Sequence, residues 1–353
     1  MAVARLGGAP PAAGGACETG TVVVTGATGF IGSHLVDRLL SFGHLVVGVD
    51  RRSPSTDELA ALNLTYALTH ERFSLVEAEL GHADLDAVVA GADCVFHCAA
   101  VPGVRASWGS QFAAYVAANV MGTHRLLAAC ERVKLRRLVY CSSSSVYGAT
   151  TRANREADPT RPISPYGITK LAAEQLCLAH AGRPDTELTV VALRYFSVYG
   201  PRQRPDMAIG RVLAAALSGA QYTLFGDGTQ RRDFTYVDDV VDASIAAARK
   251  DIPTTVVNVG GGSSASLIDV IGIARDVVGR AVPLTAVEAC AGDVPATAAD
   301  LSLASTLLDY NPRTDLRSGM ARQADWLRRL PADLLLRFTP PPAAVEELTS
   351  CSS

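Results

Sequence analysis

Charge is scarce in this 353-residue chain: Asp, Glu, Lys and Arg together make 19%, where soluble domains average roughly a quarter. Aromatic residues are scarcer, at 6%, with two tryptophans. Low charge beside 48% apolar residues excludes an intrinsically disordered chain, which stays unfolded through low hydrophobicity and high charge. The formal net charge of −3 gives no basis for nucleic acid or an acidic membrane as partner. No apolar stretch reaches the roughly 18 uninterrupted residues of a membrane span. There is no internal repeat and no metal-ligand constellation, so lone histidines such as His34, His44 and His124 suit core or surface roles.

The eight cysteines define no framework. Cys17 and Cys351 lie near the ends, while Cys94, Cys98, Cys130, Cys141 and Cys177 lie within apolar runs. No pair has zinc-ribbon spacing beside a second pair, which leaves small buried hydrophobes in a reducing compartment. The opening MAVARLGGAPPAAGGACETG lacks the apolar core and cleavage site of a secretory signal, so it reads as a flexible leader and the expected location is cytoplasmic.

What is present is small side chains in an ordered pattern. Thr21–Thr25 is a β-branched run, Gly26-Ala-Thr-Gly29-Phe-Ile-Gly32 a glycine-punctuated turn, and Ile31, Leu35, Val36, Leu39 and Leu40 a helical stripe ending at Gly43. Further strand-like runs fall at Leu45–Asp50, Phe73–Val76, Cys94–Cys98, Arg137–Cys141, Thr189–Arg194 and Thr255–Val259. Helical stretches such as Gln111–Val133 and Tyr166–Ala181 lie between them. This alternation predicts a parallel sheet covered on both faces, which explains the continuous apolarity of VVVTG, LVVGVD and VFHCAA. Short strands at Gln221–Phe225 and Ala281–Val287 predict a smaller lobe, and the sequence past Leu330 reads as a tail.

A glycine turn between a strand and a helix is a dinucleotide signature. Gly26 allows the tight turn, Gly29 the approach of a pyrophosphate, and Gly32 close packing of helix on strand, with the helix N-terminus facing the phosphates. Asp50, 18 positions after Gly32, can accept hydrogen bonds from both ribose hydroxyls of NAD. Arg51 and Arg52 follow it and leave NADP as the alternative. Farther on, a strand ends in Ser142-Ser-Ser-Ser145, and Ser164-Pro-Tyr166-Gly-Ile-Thr-Lys170 heads a helix. Tyr166 and Lys170 share one helical face, so the ammonium is expected to lower the phenol from its reference near 10 and make it a general base.

These motifs, with LRYFSVYGPRQRPDM and FGDGTQRRDFTYVDDVV, resemble the extended short-chain dehydrogenase/reductases, the NAD-dependent nucleotide-sugar epimerase/dehydratase family, from about Thr21 to Leu330. The resemblance implies an α/β fold: a Rossmann-type doubly wound parallel sheet with a smaller C-terminal substrate-binding lobe. It divides the chain into a leader (1–19), an NAD-binding part (20–200 plus 230–262), a lobe (201–229 plus 263–335) and a tail (336–353). It makes Ser143, Tyr166 and Lys170 the catalytic triad. It places Gly26, Gly29, Phe30, Ile31, Gly32, Asp50, Arg51, Glu79, Leu80, Phe96, Ala99, Ala100, Asn119 and Phe196 at the cofactor, together with Tyr166 and Lys170. Arg232 would meet a substrate diphosphate. A homodimer is implied, with helices Gln111–Val133 and Tyr166–Ala181 pairing across a two-fold.

Family members that dehydrate the sugar carry an Asp-Glu pair where this chain has Ser144 and Ser145, and known UDP-glucuronate decarboxylases carry a Glu at the position of Ser145. The serine run, VPGVRASW and RQRPDM are most similar to UDP-glucuronate 4-epimerases, which implies that Ser143, Ser144, Ser145, Ser197 and Arg204 surround the sugar. Arg105 and Trp108 either reach the sugar or pack structurally. Cys290 departs from the family, which has an arginine on the diphosphate there; Arg232, helped by Arg231, remains as the positive charge. The implied reaction draws hydride from C4 to NAD while Tyr166 takes the hydroxyl proton, leaving a 4-ketone. With a C5 carboxylate this is a β-keto acid prone to lose CO₂, and short hydroxyl donors can restrain the carboxylate through charge-assisted hydrogen bonds. The expected function is therefore 4-epimerisation of UDP-glucuronate to UDP-galacturonate with tightly bound NAD. UDP-glucuronate decarboxylation is the alternative, ahead of an NADP-linked ketoreductase and a non-catalytic NAD-binding regulator.

Overall fold

The computed structural model describes residues 19–150, 152–288 and 295–339. Seven parallel strands make the central sheet: β1 (Thr21–Thr25), β2 (Leu45–Asp50), β3 (Phe73–Glu77), β4 (Cys94–His97), β5 (Arg137–Ser143), β6 (Thr189–Tyr195) and a last strand, Thr255–Val259. Across the sheet the order is Thr255–Val259, β6, β5, β4, β1, β2, β3. The chain starts in the middle, runs out to β3 and crosses back to β4. The order therefore reverses between β1 and β4, which opens a crevice beyond their carboxyl ends.

Alternation along β1 shows how the sheet is buried. Val22 and Val24 point into one core with Leu35, Leu39, Val46 and Phe96, while Val23 joins Val49, Val95, Leu126 and Leu138 on the other face. Fully burying a side chain such as Leu126 contributes about 1.5–3 kcal/mol. With both faces covered an unpaired charge is costly, which accounts for the sparse Asp, Glu, Lys and Arg of these segments; Arg194 of β6 is buried beside Glu174.

The first core continues without a break into the lobe through Ile209, Val212, Val270, Met320 and Leu327. There helix Ala208–Ser218 packs on helices Leu267–Val278 and Leu316–Arg328. Tyr222–Phe225 pairs in parallel with Leu284–Val287, close to the expected strands, and Arg231–Asp233 pairs antiparallel with Ser264–Ser266. The boundary expected at 336 is displaced: Phe338 is 1% exposed and stacks edge-on with Trp326, so the chain stays packed through that residue. The remaining expected tail and residues 1–18 of the expected leader lie outside the described residues.

Helix Gln111–Val133 is also not uniform. Phe112–Tyr115 and Gly122–Arg132 are α-helical, and Val116–Met121 between them is a π-helical turn. Such turns recur at functional sites because the widened ladder re-aims side chains; here Asn119 is the buried member. Among the described residues no helix is long and apolar enough to cross a membrane.

Candidate active site

The glycine turn leaves β1 at the crevice. Gly26 has φ +71°, and a Cβ there would lie 2.8 Å from the Ala99 amide nitrogen, so only glycine lets the two loops touch. A Cβ at Gly32 would lie 2.1 Å from the Gly26 carbonyl oxygen, which seats helix α1 (Phe30–Ser41) directly on the turn. Phe30 and Ile31 form the first turn of that helix.

Asp50 ends β2 beside this turn and accepts the Thr28 and Arg52 amides, each at 3.0 Å. The arginine question resolves here. Arg51 is exposed, whereas Arg52 folds back, donating to the Thr28 carbonyl at 2.7 Å and lying near Asp50 and Asp57. Its charge is thus committed to two carboxylates instead of a 2′-phosphate. Arg51, expected at the cofactor, is sent outward by the backbone turn after Asp50 and is exposed at the crevice edge.

The Thr28 hydroxyl is buried and unpartnered among the described residues. The glycine cradle, this orphan hydroxyl and Asp50 fit NAD. Glu79 and Leu80 follow β3, whose continuation bonds to the Asp50 carbonyl at Ala78, so they sit at the same crevice edge. Glu79 is exposed and Leu80 buried.

Beyond β4, Ala99 donates to the Thr25 hydroxyl at 3.2 Å, and Ala100 continues the loop. Three residues expected at the cofactor have buried side chains. Phe96 is 1% exposed in the sheet core, and Phe196 is fully buried against Val146 and Tyr147. Asn119 spends its amide on the protein: Oδ1 accepts the Val101 amide at 2.7 Å, and Nδ2 donates to the Val101 carbonyl and the Thr169 hydroxyl, both at 3.0 Å. Phe96 is directed inward by strand alternation and Asn119 by the π-helical turn, while Phe196 follows directly on β6.

The triad residues come together across β5 and helix Pro165–Ala181. Ser164 caps this helix by accepting the Gly167 amide at 3.1 Å. A Cβ on Gly167 would lie 2.6 Å from the Ser145 carbonyl oxygen, so the helix start packs directly on the serine turn. This sets Tyr166 beside the Ser143 hydroxyl, which acts on the phenol. Burial pushes the phenol above its ordinary value, opposed by the Ser143 hydrogen bond and the Arg204 charge.

Lys170 is 3% exposed; it donates to the Cys141 carbonyl and lies 4.4 Å from the centre of the Tyr140 ring. Burial pushes its ammonium down. The lowering of Tyr166 expected from Lys170 is therefore not what the protein's own groups produce, since the ammonium is engaged beneath the strand and burial dominates. Tyr115, which the motifs did not mark, sets its ring 6.3 Å from that of Tyr166 and donates to the Pro102 and Gly103 carbonyls.

On the sugar side, Ser143 caps the short turn Ser144–Val146 by accepting the Ser145 amide at 3.1 Å, leaving Ser144 and Ser145 half-buried. Arg204 acts electrostatically on both Tyr166 and Tyr115, which puts it by the phenol; it also grips Asp206 at 2.7 and 2.9 Å. Ser197 is half-buried, and its carbonyl accepts the Thr235 amide.

Arg105 stacks on Phe225 at 4.6 Å and so joins the loop after β4 to the lobe. Arg232 lies on the strand Arg231–Asp233 and donates to the Arg231 carbonyl. The neighbouring Asp233 is buried and accepts the Gly261 and Ala299 amides. Cys290, the departure noted in the sequence, lies outside the described residues.

A dinucleotide crevice at the sheet switch point, facing a Ser-Tyr-Lys group, defines an NAD-dependent enzyme of the doubly wound α/β class. The chain belongs to the NAD dependent epimerase/dehydratase family, whose model matches residues 22–260. A Bacillus subtilis (strain 168) protein named uncharacterized UDP-glucose epimerase YtcB is 41% identical over 312 residues, 88% of this chain and 98% of that one. The UDP-glucuronate 4-epimerase of Thermodesulfobacterium geofontis (strain OPF15) is 33% identical, with 87% of this chain and 96% of that one covered. The Bacillus cereus UDP-glucuronic acid 4-epimerase, solved in complex with UDP-glucuronic acid and NAD, superposes with a TM-score of 0.84. It is 40% identical, and the match covers 88% of this chain and 100% of that one.

Proposed function

We propose that this chain is an NAD-dependent UDP-glucuronate 4-epimerase, interconverting UDP-glucuronate and UDP-galacturonate through a 4-keto sugar. The observation that carries the reading is the Tyr166 helix start packed on the Ser143 turn, whose next two side chains are hydroxyls. Dehydration needs an acid and a base at those two positions, and Ser144 and Ser145 supply neither. The names of the Thermodesulfobacterium and Bacillus cereus relatives support the substrate.

NAD supplies the hydride acceptor and donor at C4. Tyr166 takes the C4 hydroxyl proton as general base and returns it after the ketone has turned its other face. Ser143 positions the phenol and the C4 oxygen. Lys170, anchored by the Cys141 carbonyl, provides positive charge below the site. Ser144, Ser145 and Ser197 are assigned to the sugar and its carboxylate, Arg204 to the sugar beside Tyr166, Arg105 to the sugar from the loop after β4, and Arg232 to the nucleotide diphosphate. A carboxylate held near the ring plane keeps its C–C bond out of line with the ketone π system, which suppresses loss of CO₂.

In the same reading, residues 20–200 plus 230–262 hold NAD and the lobe of 201–229 plus 263–335 holds the nucleotide sugar, in a cytoplasmic protein. A homodimer formed by the two expected helices is supported by exposed apolar side chains on them: Phe112 at 40%, Met121 at 52% and Ile168 at 51%.

A second reading, 4-epimerisation of UDP-glucose, is supported by the name of the Bacillus subtilis relative. Purified protein incubated separately with the two nucleotide sugars, without added cofactor, decides between them. Faster conversion of UDP-glucuronate to UDP-galacturonate supports the first reading, and faster formation of UDP-galactose supports the second.

A further inference from the structure

Beneath the crevice runs a buried chain of hydrogen bonds whose direction is determined throughout. Thr123 gives its single hydroxyl proton to the Asn119 carbonyl at 2.6 Å, so toward His97 Nε2, 2.8 Å away, it can only accept. His97 Nε2 therefore carries a proton. Burial, with the Lys170 charge, pushes His97 down to about 3, so the ring is neutral and Nδ1 is bare. Nδ1 then accepts from the Thr25 hydroxyl at 2.7 Å, and the Thr25 oxygen accepts the Ala99 amide at 3.2 Å. At the other end, Asn119 Nδ2 donates to Thr169, whose hydroxyl donates to the Tyr166 carbonyl at 2.8 Å. Thr25, His97, Asn119, Thr123 and Thr169 are all at most 1% exposed, so no solvent competes for these groups.

We propose that His97 is a positioning residue, fixed as the Nε2–H tautomer, through which the loop that backs the NAD turn is held in register with catalytic Tyr166. The Ala99 peptide lies directly under Gly26, so the relay joins the surface on which the cofactor rests to the helix that carries the base. Each member has one donor arrangement that satisfies every partner, and a change in the middle leaves an unpaired buried group on either side. This inference rests on the epimerase reading for its kinetic test but not for its structural one.

The test compares Thr123→Val, which keeps shape and removes both hydrogen bonds, with Thr123→Ser, which restores them. The expected result is a kcat at least about tenfold lower for Thr123→Val, the equivalent of one buried hydrogen bond, with KM for UDP-glucuronate within about twofold and rescue by Thr123→Ser. NMR of nitrogen-15 histidine-labelled holoenzyme should show one imidazole as the Nε2–H tautomer that does not titrate above about pH 5. A Thr123→Val protein with wild-type kcat and only a lowered melting temperature overturns the proposal, as does an Nδ1–H tautomer at His97. If the wild type fails to turn over UDP-glucuronate, the substrate reading falls while the tautomer measurement still decides the relay.

A separate observation concerns two thiols. Cys98 and Cys141 follow the paired residues His97 and Tyr140 on β4 and β5, and their sulfurs are 2.9 Å apart. Burial opposes ionisation of Cys141, yet hydrogen bonds from Cys98 and the Tyr195 hydroxyl and the Lys170 charge bring its thiol below the ordinary value. We infer that a hydroperoxide converts this pair to a disulfide and thereby disables the site. The Cys141 thiolate attacks the peroxide, giving a sulfenic acid and an alcohol or water. The Cys98 sulfur then displaces the sulfenic oxygen as water, so two thiols are oxidised and one peroxide is reduced.

The new bond draws in the Cys141 backbone, whose carbonyl holds Lys170. Holoenzyme treated with hydrogen peroxide should lose the mass of two hydrogens, yield a linked Cys98–Cys141 peptide and lose activity that dithiothreitol restores. Cys98→Ser should keep a larger fraction of its own starting activity. Activity loss without the linked peptide, or the linked peptide with activity intact, overturns the inference.

Discussion

Arg194 and Glu174 face each other as a buried bidentate pair, with Arg194 Nη2 and Nε donating to the two carboxylate oxygens at 2.6 and 3.0 Å. Glu174 sits one turn beyond Lys170 on helix Pro165–Ala181, and Arg194 is on β6, so this pair fastens the helix to the sheet. Ser142 donates to the same carboxylate at 2.6 Å, and the Arg194 guanidinium stacks over Tyr147. Removing one partner strands a buried charge. Arg194→Ala is expected to cost about 3–5 kcal/mol in urea-measured stability, whereas breaking an exposed pair such as Arg132–Asp86 should leave the urea midpoint nearly unchanged.

Tyr166 as general base makes a sign prediction for pH. The phenolate is the active form, so kcat rises with pH through the Tyr166 pKa. Arg204 pulls that pKa down against burial, and Arg204→Gln should therefore move the acid limb of the profile to higher pH. Tyr166→Phe should lower kcat by at least about a hundredfold while the fold is kept. An unshifted acid limb in Arg204→Gln removes the arginine from the neighbourhood of the base.

In the proposed site Asp50 is the residue that selects NAD. Asp50→Ala removes both ribose acceptors and should weaken NAD binding by about 10–100-fold, read by the NAD retained per chain or by titration calorimetry. The same change removes a carboxylate that repels a 2′-phosphate while Arg52 keeps Asp57 and the Thr28 carbonyl, so the ratio of NADP to NAD affinity should rise. Unchanged discrimination contradicts the role assigned to Asp50.

Asp233 carries a pH-dependent share of stability. Burial pushes its carboxyl up to about 6 from 3.8, against the Gly261 and Ala299 amides that favour the ionised form. The folded chain thus binds this proton more tightly than the unfolded chain. Its contribution is complete below pH 3.8 and lost as pH rises through about 6. Relative to Asp233→Asn, wild type should lose stability across that window in denaturant titrations at several pH values. A constant difference shows that Asp233 titrates normally.

The strand runs and the glycine turn were legible because parallel strands buried on both faces need continuous apolar runs and a pyrophosphate turn needs glycines at fixed spacing; the order of the strands across the sheet was not. Ser143, Tyr166 and Lys170 were legible for a similar reason, since chemistry fixes their residue types. The relay was not. Thr25, His97, Thr123 and Thr169 belong to elements consecutive in space but far apart in sequence, and a threonine inside an apolar run has no pattern that separates it from a packing residue. His97 stood in the run Cys94–Cys98, yet only the structure places it between two hydroxyls. Phe96 and Phe196 show the opposite limit: a motif position near a cofactor does not say which way the side chain points.

The central claim is that C4 is oxidised and reduced without loss of the C5 carboxylate. UDP-glucuronate labelled with carbon-13 at the carboxylate, incubated with purified protein and followed by NMR, tests it most directly. The account predicts that the label appears in the carboxylate of UDP-galacturonate, with no added cofactor consumed. Labelled bicarbonate together with an unlabelled UDP-pentose would contradict it.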